Sequence, residues 1–370
     1  MIYFFDKRII SHFNYELILL ILPLIYLSHF IINEINTILA DKQLIYMSIS
    51  VIAFVVVFLI PIRRLYRFIP MLYWIGIFLL LCVELFGVTK LGATRWLQIP
   101  FIDLTIQPSE LFKPAFLLML AYLIKNKPPS KDGYNTKEFF YFSFYILLPF
   151  ILIAKEPDLG TALVLLLVGY GILFLVGINW KIIVTILTLL SITSPVAYTY
   201  LIKDYQKKRI NDFISKEPSY HVKQSIIAIG SGGMSGKTKE NSTQTQLKFL
   251  PIATSDFIFA SFVERYGFIG SVALISLYVL LIIHLLLLYD NFIKDPMISV
   301  FAAGLALLFF LDMSVNLLMV IGFAPVVGLP LPLFSYGGSS FINFIVLVAI
   351  LENLISFRFM AQYDFNRKLL

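Results

Sequence analysis

Charged residues, cysteine and histidine are all scarce in this chain of 370 residues. Only 14% of the residues are charged, whereas a soluble globular protein carries about 25%. The one cysteine, Cys82, cannot form an internal disulfide or a multi-thiolate metal site. The four histidines are too scattered to show the spacing of metal ligands. Together these absences exclude a soluble enzyme, a disordered tail and a disulfide-stabilised secreted domain.

Hydrophobic residues make up 59% of the chain and aromatic residues 16%, which suits surfaces that face lipid. A transmembrane helix needs about 20 apolar residues, so the composition allows about ten spans. We therefore predict an all-α polytopic membrane protein, with a single transmembrane domain over residues 1–370. The apolar runs place its helices at about residues 17–32, 44–62, 69–88, 107–124, 138–154, 158–178, 181–201, 256–289, 298–323 and 337–357.

Lysine and arginine fall unevenly on the two sides of the predicted membrane domain. With the N-terminus in the cytoplasm, the inside segments carry fourteen of these residues and the short outside loops carry four. Cytoplasmic loops are enriched in positive charge, so we expect both termini to be cytoplasmic. One large extracytoplasmic loop is then expected at residues 202–255, between spans 7 and 8. Membrane orientation, and not nucleic-acid binding, thus accounts for the net charge of +7.

Residues 231–238, with the sequence SGGMSGKT, nearly match a nucleotide phosphate loop. That loop requires glycine where Ser231 stands, and it joins a strand to a helix. The predicted topology also places the segment away from cytoplasmic ATP. Its glycines therefore indicate tight turns in the large outer loop.

Asp256 closes the outer loop and opens the predicted eighth span. Its carboxylate, or the hydroxyl of Ser255, can cap the helix by accepting a hydrogen bond from a free N–H group. Asp256 can equally serve as a general base at the boundary between water and lipid. There the helix dipole lowers the pKa of the carboxyl and desolvation raises it. The residues alone leave both interpretations open.

Other charged residues lie where spans meet the outer loops or within the bilayer. Glu110 and Lys113 lie three residues apart at the start of span 4, so they either form an ion pair or serve a function. Glu156 and Asp158 lie in the turn between spans 5 and 6, where a helix cap is the simpler interpretation. Asp312, the deepest acid, either marks a proton or ion path or bonds between helices. Further polar side chains in or near the last two spans are Asn316, Asn343 and Glu352.

Several segments together resemble the SEDS family of shape, elongation, division and sporulation proteins. The resemblance extends over residues 15–357, and the order and membrane depth of the segments agree with the family. The stretches GSGGMSGK and TQTQLKFLP are more similar to its rod-shape branch than to its division branch. The matching segments are LGATRWLQI (91–99), QPSELFKPA (107–115), KEPDLGTAL (155–163), QSIIAIGSGGMSGK (224–237), STQTQLKFLP (242–251), SDFIFA (255–260) and PVVGLPLPLFSYGGSS (325–340).

The resemblance implies a peptidoglycan glycosyltransferase in the cytoplasmic (inner) membrane of a bacterium. Such enzymes polymerise lipid II on the extracytoplasmic face and release undecaprenyl diphosphate, for cell elongation and rod shape. The implied partners are a class B penicillin-binding protein, which is a transpeptidase, and other membrane proteins of the elongation complex. The resemblance places the essential acid at Asp256. It places residues that bind substrate at Arg95, Glu110, Lys113, Glu156 and Asp158.

The chain departs from the family around the implied essential acid. Many relatives have glutamates before and after the FLP triplet, where this chain has Lys248 and Ile252. Where relatives read HTD, this chain reads Thr254-Ser255-Asp256. We therefore do not expect a mechanism that needs a second carboxylate from this loop.

The expected reaction inverts the anomeric centre, because lipid II is α-linked and the glycan is β-1,4-linked. Asp256 alone suffices as the base, and Arg95 and Lys113 can stabilise the diphosphate that leaves. A divalent cation could share that work, although no cluster of residues specifies one and we predict no metal site. The alternatives are a flippase or transporter of the lipid-linked precursor, and a non-catalytic scaffold of the elongation complex.

Overall fold

The computed structural model describes residues 7–90, 93–98, 105–156, 158–182 and 219–359, together with residues 184, 185, 188, 207 and 213. The predicted seventh span at 181–201 and the first part of the predicted outer loop, 202–218, lie largely outside the described residues. Each of the other nine predicted spans coincides with a helix.

Long helices joined by short connections make up most of the described chain. Eight of them, α2, α3, α4, α6, α7, α10, α11 and α12, are long and apolar enough to cross a membrane. A ninth, α5, has 19 residues and is less apolar, and it coincides with the predicted fourth span. In chain order the helices are α1 (Lys7–Ser11), α2 (Tyr15–Ile35), α3 (Thr37–Leu59), α4 (Ile69–Phe86), α5 (Pro108–Asn126), α6 (Thr136–Lys155), α7 (Leu159–Val176), α8 (Tyr220–Gly232), α9 (Thr243–Gln246), α10 (Ile258–Asn291), α11 (Pro296–Val320) and α12 (Gly338–Ser356).

Polar side chains fix where several long helices begin. Asn14 and Asn36 each accept a hydrogen bond from a backbone N–H in the first turn of α2 and α3. Asn135 and Glu138 form a reciprocal capping box at the start of α6, and Asp295 caps α11. These caps satisfy N–H groups that a helix leaves free in its first turn, where no preceding carbonyl can reach them.

Helix α11 forms the centre of the bundle. It packs against α5, α7, α10 and α12, and its residues 301–305 are all buried. Gly304 lets α5 approach closely, because a Cβ atom there would overlap the side chain of Leu117. Small residues at helix contacts are typical of bundles in membranes, where close backbone packing replaces the hydrophobic effect between helices.

The polar residues singled out in the sequence lie mainly at one end of the bundle, which we call the site end. It contains the loops before α5, between α6 and α7, before α10 and between α11 and α12. A three-stranded antiparallel sheet lies there between α4 and α5. Its strands are β1 (Val88–Lys90), β2 (Ala93–Gln98) and β3 (Thr105–Ile106), with Val88 opposite Trp96 and Leu97 opposite Ile106.

The described end of the predicted outer loop folds onto the first turns of α10. The carboxylate of Glu264 accepts hydrogen bonds from the backbone N–H and the hydroxyl of Thr245, at 3.0 and 2.6 Å. Gly233 and Gly236 have φ angles of +56° and +80°, which only glycine adopts without strain. The glycine-rich segment follows helix α8 and not a strand, so its backbone agrees with tight turns and not with a phosphate loop.

Single cysteines on a Cys82→Ala background test the predicted orientation. In intact cells, we expect an impermeant thiol reagent to label Glu240→Cys and to spare Asp132→Cys, because the charge asymmetry places residues 125–137 inside. Both positions are exposed, so burial does not explain a failure to label, and both should react after permeabilisation. Labelling of position 132 without position 240 in intact cells would show that the topology is inverted.

Candidate active site

Asp256 lies in the turn that precedes α10, two residues before the first helical residue, Ile258. The cap position belongs to Phe257, and no side chain caps this helix. The carboxylate of Asp256 instead interacts with the side chain of its neighbour Ser255. The structure therefore does not give Asp256 the capping role that the sequence left open, and its carboxylate is available for chemistry.

The turn that carries Asp256 is held by hydrogen bonds to its backbone carbonyls. The donors are side chains or N–H groups in α11 and in the segment that leads to α12. The bonds join Asn316 to Asp256 (2.9 Å), Ser335 to Ser255 (2.7 Å) and Tyr336 to Thr254 (2.8 Å). Because several bonds from different elements hold three consecutive residues, the position of the carboxylate is set by the bundle and not by a flexible loop.

The surroundings of Asp256 act on its proton affinity in opposite directions. Burial raises the pKa of the carboxyl above its ordinary value, whereas the positive charge of Arg95 and the hydrogen bond from Ser255 lower it. The net direction is upward. A carboxylate with a raised pKa is a better proton acceptor, which suits a general base.

His221 also reaches the site, from helix α8. Its ring stacks on Phe257, with the ring centroids 6.0 Å apart and the planes inclined by 21°. Its Nδ1 atom is enclosed and has no hydrogen-bond partner among the described residues. Helix α8 is fixed in place by a hydrogen bond of 2.7 Å from Ser225 to the carbonyl of Val320. No local pattern signals this residue, because only packing brings α8 to the turn.

Arg95, on β2, acts electrostatically on Asp256 and forms an ion pair with a second acid. Its Nη1 atom lies 3.5 Å from Oδ1 of Asp158, and its guanidinium lies over the ring of Trp96. Asp158 is only 3% exposed and also accepts a hydrogen bond of 2.9 Å from Gln107 at the start of α5. Asp158 in addition caps α7, as the sequence predicts for this turn. The carboxylate of Asp158 thus bonds to the sheet through Arg95, to the start of α5 through Gln107 and to the first turn of α7.

Glu156, in the same turn as Asp158, is buried with 4% of its surface exposed. Neither of its carboxylate oxygens has a hydrogen-bond partner among the described residues. Burial raises its pKa to about 8, the charges of Asp158 and Glu84 act in the same direction, and Arg95 opposes them. Glu156 therefore lies close enough to Arg95 for the guanidinium to act on its carboxyl group.

Glu110 and Lys113 form an ion pair deeper in the bundle, and Asp312 joins them. The Nζ atom of Lys113 lies 2.8 Å from Oε1 of Glu110 and 3.7 Å from Oδ2 of Asp312. Lys113 is only 2% exposed, so both of its acidic partners are enclosed with it between α5 and α11. In this arrangement Lys113 has no free surface for a diphosphate, whereas Arg95 remains partly exposed. The contact of Asp312 with α5 matches the interhelical bonding that was one of its two interpretations.

The remaining polar residues named from the sequence lie elsewhere. Glu352 lies at the opposite end of the bundle, where it accepts a hydrogen bond of 3.0 Å from the N–H of Asn14. The side-chain amide of Asn343 is buried in α12 and has no hydrogen-bond partner among the described residues. Within the described ranges, no group of three or more histidine, cysteine, aspartate or glutamate residues is arranged to hold a metal ion.

Comparison with known proteins gives extensive matches. Residues 6–359 match the model of the FtsW, RodA and SpoVE family, described as cell cycle proteins. The chain is 52% identical to the peptidoglycan glycosyltransferase MrdB of Helicobacter pylori strain 26695, over 97% of this chain and 94% of that protein. It is 40% identical to the peptidoglycan glycosyltransferase MrdB of Escherichia coli K12, over 71% of each chain.

Solved structures share the fold. A chain from a peptidoglycan synthase complex, in a study of how polymerization and crosslinking are coordinated, superposes with a TM-score of 0.80 at 28% identity. The rod shape determining protein RodA of Thermus thermophilus superposes with a TM-score of 0.70 at 25% identity. Each match covers 94% of this chain and 98% of the other. These findings confirm the resemblance and the all-α, multi-pass membrane fold, whereas the count of ten spans stays a prediction.

Exchange of charges between positions 110 and 113 tests whether Asp312 belongs to the ion network. In an isolated pair, Glu110→Lys with Lys113→Glu would restore the attraction. Here Lys113→Glu also brings a carboxylate against Asp312, so we expect the double variant to lose about 3–5 kcal/mol of stability, as for a broken buried pair. Thermal unfolding in detergent measures the loss.

Two further variants control this experiment. Addition of Asp312→Asn to the double variant should recover part of the lost stability, because it removes the new repulsion. The same exchange at the exposed pair of Glu84 and Lys155 should cost less than about 1 kcal/mol. Full stability of the double variant with Asp312 intact would show that Asp312 makes no energetic contribution to the pair.

Proposed function

Because the chain belongs to the FtsW, RodA and SpoVE family of cell cycle proteins, we propose that it is a peptidoglycan glycosyltransferase of the rod-shape type. It polymerises lipid II into β-1,4-linked glycan strands on the extracytoplasmic face of the bacterial cytoplasmic membrane and releases undecaprenyl diphosphate. The observation that carries the mechanism is that the carboxylate of Asp256 does not cap α10. Its turn is held in place at the site end by hydrogen bonds, and the charge of Arg95 acts on it.

The chemistry of this transfer sets two requirements. The α-linked donor becomes a β-linked product, so a single displacement needs a base for the hydroxyl of the incoming sugar. The leaving diphosphate is already an anion, so it needs positive charge or N–H donors and not a proton. A site with one suitably placed carboxylate and one nearby cation meets both requirements.

We assign the base to Asp256 and the principal cation to Arg95. Asp256 takes the proton of the acceptor hydroxyl as the hydroxyl oxygen bonds to the anomeric carbon. The bond between that carbon and the diphosphate oxygen breaks, and the diphosphate leaves with the electron pair. The charge of Arg95, which also acts on Asp256, stabilises the diphosphate.

The other residues implied by the resemblance support this centre in different ways. Asp158 positions Arg95 through their ion pair and holds Gln107 beside it. Glu110 and Lys113 fix the start of α5 against α11 by way of Asp312, so we assign them to support of the lipid-binding region. Glu156 lies within the same group of charges.

A lipid transporter is the main alternative function, and the polar groups of the described chain distinguish the two. A transport path needs polar groups across the whole membrane. Here the acids that surround Arg95 are concentrated at the site end. The deeper acids, Glu110 and Asp312, form ion pairs with Lys113. Glycan formation from lipid II by the purified chain in detergent, where transport has no meaning, separates the two functions.

Asp256→Asn should abolish most glycan synthesis. Asparagine keeps the size of the side chain but cannot accept a proton at neutral pH, so the rate should fall by about 10²–10⁴-fold. Because the base acts only when it is ionised, activity of the unchanged chain should fall as the pH drops through the raised pKa of Asp256. The rate of polymerisation from purified lipid II measures both effects.

Asp290→Asn is the matched control, because Asp290 is an exposed aspartate near the far end of α10. It should leave the rate unchanged. Both variants should unfold at nearly the same temperature as the unchanged chain, since neither side chain caps a helix here. Polymerisation by Asp256→Asn within about threefold of the parent would rule out the assignment of the base.

The chain should form a complex with a class B penicillin-binding protein. A structural match in a peptidoglycan synthase complex supports this, because that complex coordinates polymerization with crosslinking. A partner anchored in the membrane can contact both helices and outer loops. We expect co-purification in mild detergent, for the unchanged chain and for Asp256→Asn alike. Separate elution of two folded proteins would contradict the proposed partnership.

A further inference from the structure

Glu156 is enclosed in a way that is unusual for a glutamate. Both carboxylate oxygens are buried, and neither has a hydrogen-bond partner among the described residues. An ionised carboxylate in such a place would be cut off from water and would have no donor among the described residues, which is costly. A neutral carboxylic acid avoids most of this cost. The geometry alone therefore favours a protonated side chain.

The charged groups around Glu156 point in the same direction. Asp158 faces it from the start of α7 and Glu84 from α4, and both add negative charge. Arg95, on β2, is the cation that acts on it, and this guanidinium is already paired with Asp158. The adjacent Lys155 extends to Glu84, with 3.3 Å between Nζ and Oε1. Consistent with this, the pKa of Glu156 is raised to about 8.

Arg95 has an N–H donor to which the carboxylate of Glu156 can bond once it ionises. The Nε atom of its guanidinium is buried and has no hydrogen-bond partner in the described part of the chain. The same guanidinium acts on Asp256 and is paired with Asp158. A third negative charge beside Arg95 would compete with Asp256 for the positive charge, because ionic interactions in this enclosed region are strong.

We propose that Glu156 carries a proton in the working enzyme, and that loss of this proton draws Arg95 away from Asp256 and from the diphosphate. Glu156 is then a positioning residue that acts through Arg95 and sets the upper pH limit of glycan synthesis. This inference rests on the proposed glycosyltransferase function. It requires no contact between Glu156 and substrate, which agrees with the enclosure of both oxygens.

The test compares the pH dependence of polymerisation for the unchanged chain and for Glu156→Gln. Glutamine has the shape of neutral glutamate and cannot ionise. Each rate is expressed relative to the rate of the same chain at neutral pH, so the comparison concerns the shape of the two pH profiles. Above the pKa of about 8, the rate of the unchanged chain should fall by about tenfold for each pH unit, and the rate of Glu156→Gln should not.

Two variants control this comparison. Glu156→Asp keeps an ionisable group, so the alkaline loss should persist. Glu84→Gln removes one of the negative charges that oppose ionisation of Glu156, so the loss should begin at a lower pH. An alkaline loss that is unchanged in Glu156→Gln, or a loss of activity at neutral pH as large as that of Asp256→Asn, would overturn the proposal.

Thermal unfolding gives a readout that does not depend on activity. The pKa of Glu156 is 4.5 when unperturbed and about 8 in the folded chain, so the folded state binds the proton more tightly. The stabilisation from this proton is complete below about pH 4.5 and is lost as the pH rises to about 8. The melting temperature of the unchanged chain should therefore fall over this range relative to Glu156→Gln.

This second measurement separates failure of the inference from failure of the proposed function. A melting difference that does not depend on pH would show that Glu156 is ionised in the folded chain, whatever the protein catalyses. Absence of glycan synthesis by the unchanged chain at neutral pH would instead refute the glycosyltransferase assignment. In that case the melting curves would still report the proton on Glu156.

Discussion

Inside a membrane, every buried polar group must find its partner within the protein, because lipid offers none. The segment between α11 and α12 is rich in proline and glycine and contains no helix or strand. It meets this constraint by bonding to the equally irregular turn before α10. Asn316 alone joins the carbonyls of Asp256 and Leu329, at 2.9 and 2.7 Å. The bonds that satisfy the backbone therefore also fix the carboxylate that we propose as the base.

Cations shared between acids are the second organising feature. Arg95 serves Asp158 and acts on Asp256, while Lys113 contacts Glu110 and Asp312. Where water is excluded, a cation shared in this way makes the charge of each acid depend on the others. A proton gained or lost by one side chain then changes the positive charge available at another. Through this dependence, the proton that we propose on Glu156 determines how much of the positive charge of Arg95 acts on Asp256.

The two groups of charges are mechanically connected through α5. Gln107, at the cap position before α5, bonds to Asp158, and Lys113, within α5, holds the helix to Asp312 on α11. Helix α11 in turn carries Asn316, which bonds to the turn of Asp256. A transfer with an anionic leaving group requires a base and a cation at a fixed separation. The bundle meets this requirement because the turn of Asp256 is bonded to α11, and Arg95 is linked through Asp158 to the start of α5.

The sequence by itself determined the helical membrane fold, because apolar runs of membrane length have few alternatives to a helix. Its motifs also pointed to the family and to Asp256. The tertiary structure decided what local patterns left open: α10 begins at Ile258 without a side-chain cap, so Asp256 is free of that role. Only packing brought Asp312 to Lys113 and His221 to Phe257. Packing also decides the surroundings of Glu156, because the local sequence of its turn predicts only an ordinary connection between two helices. Whether a side chain there keeps its proton depends on burial and on charges from distant strands and helices, which no local pattern contains.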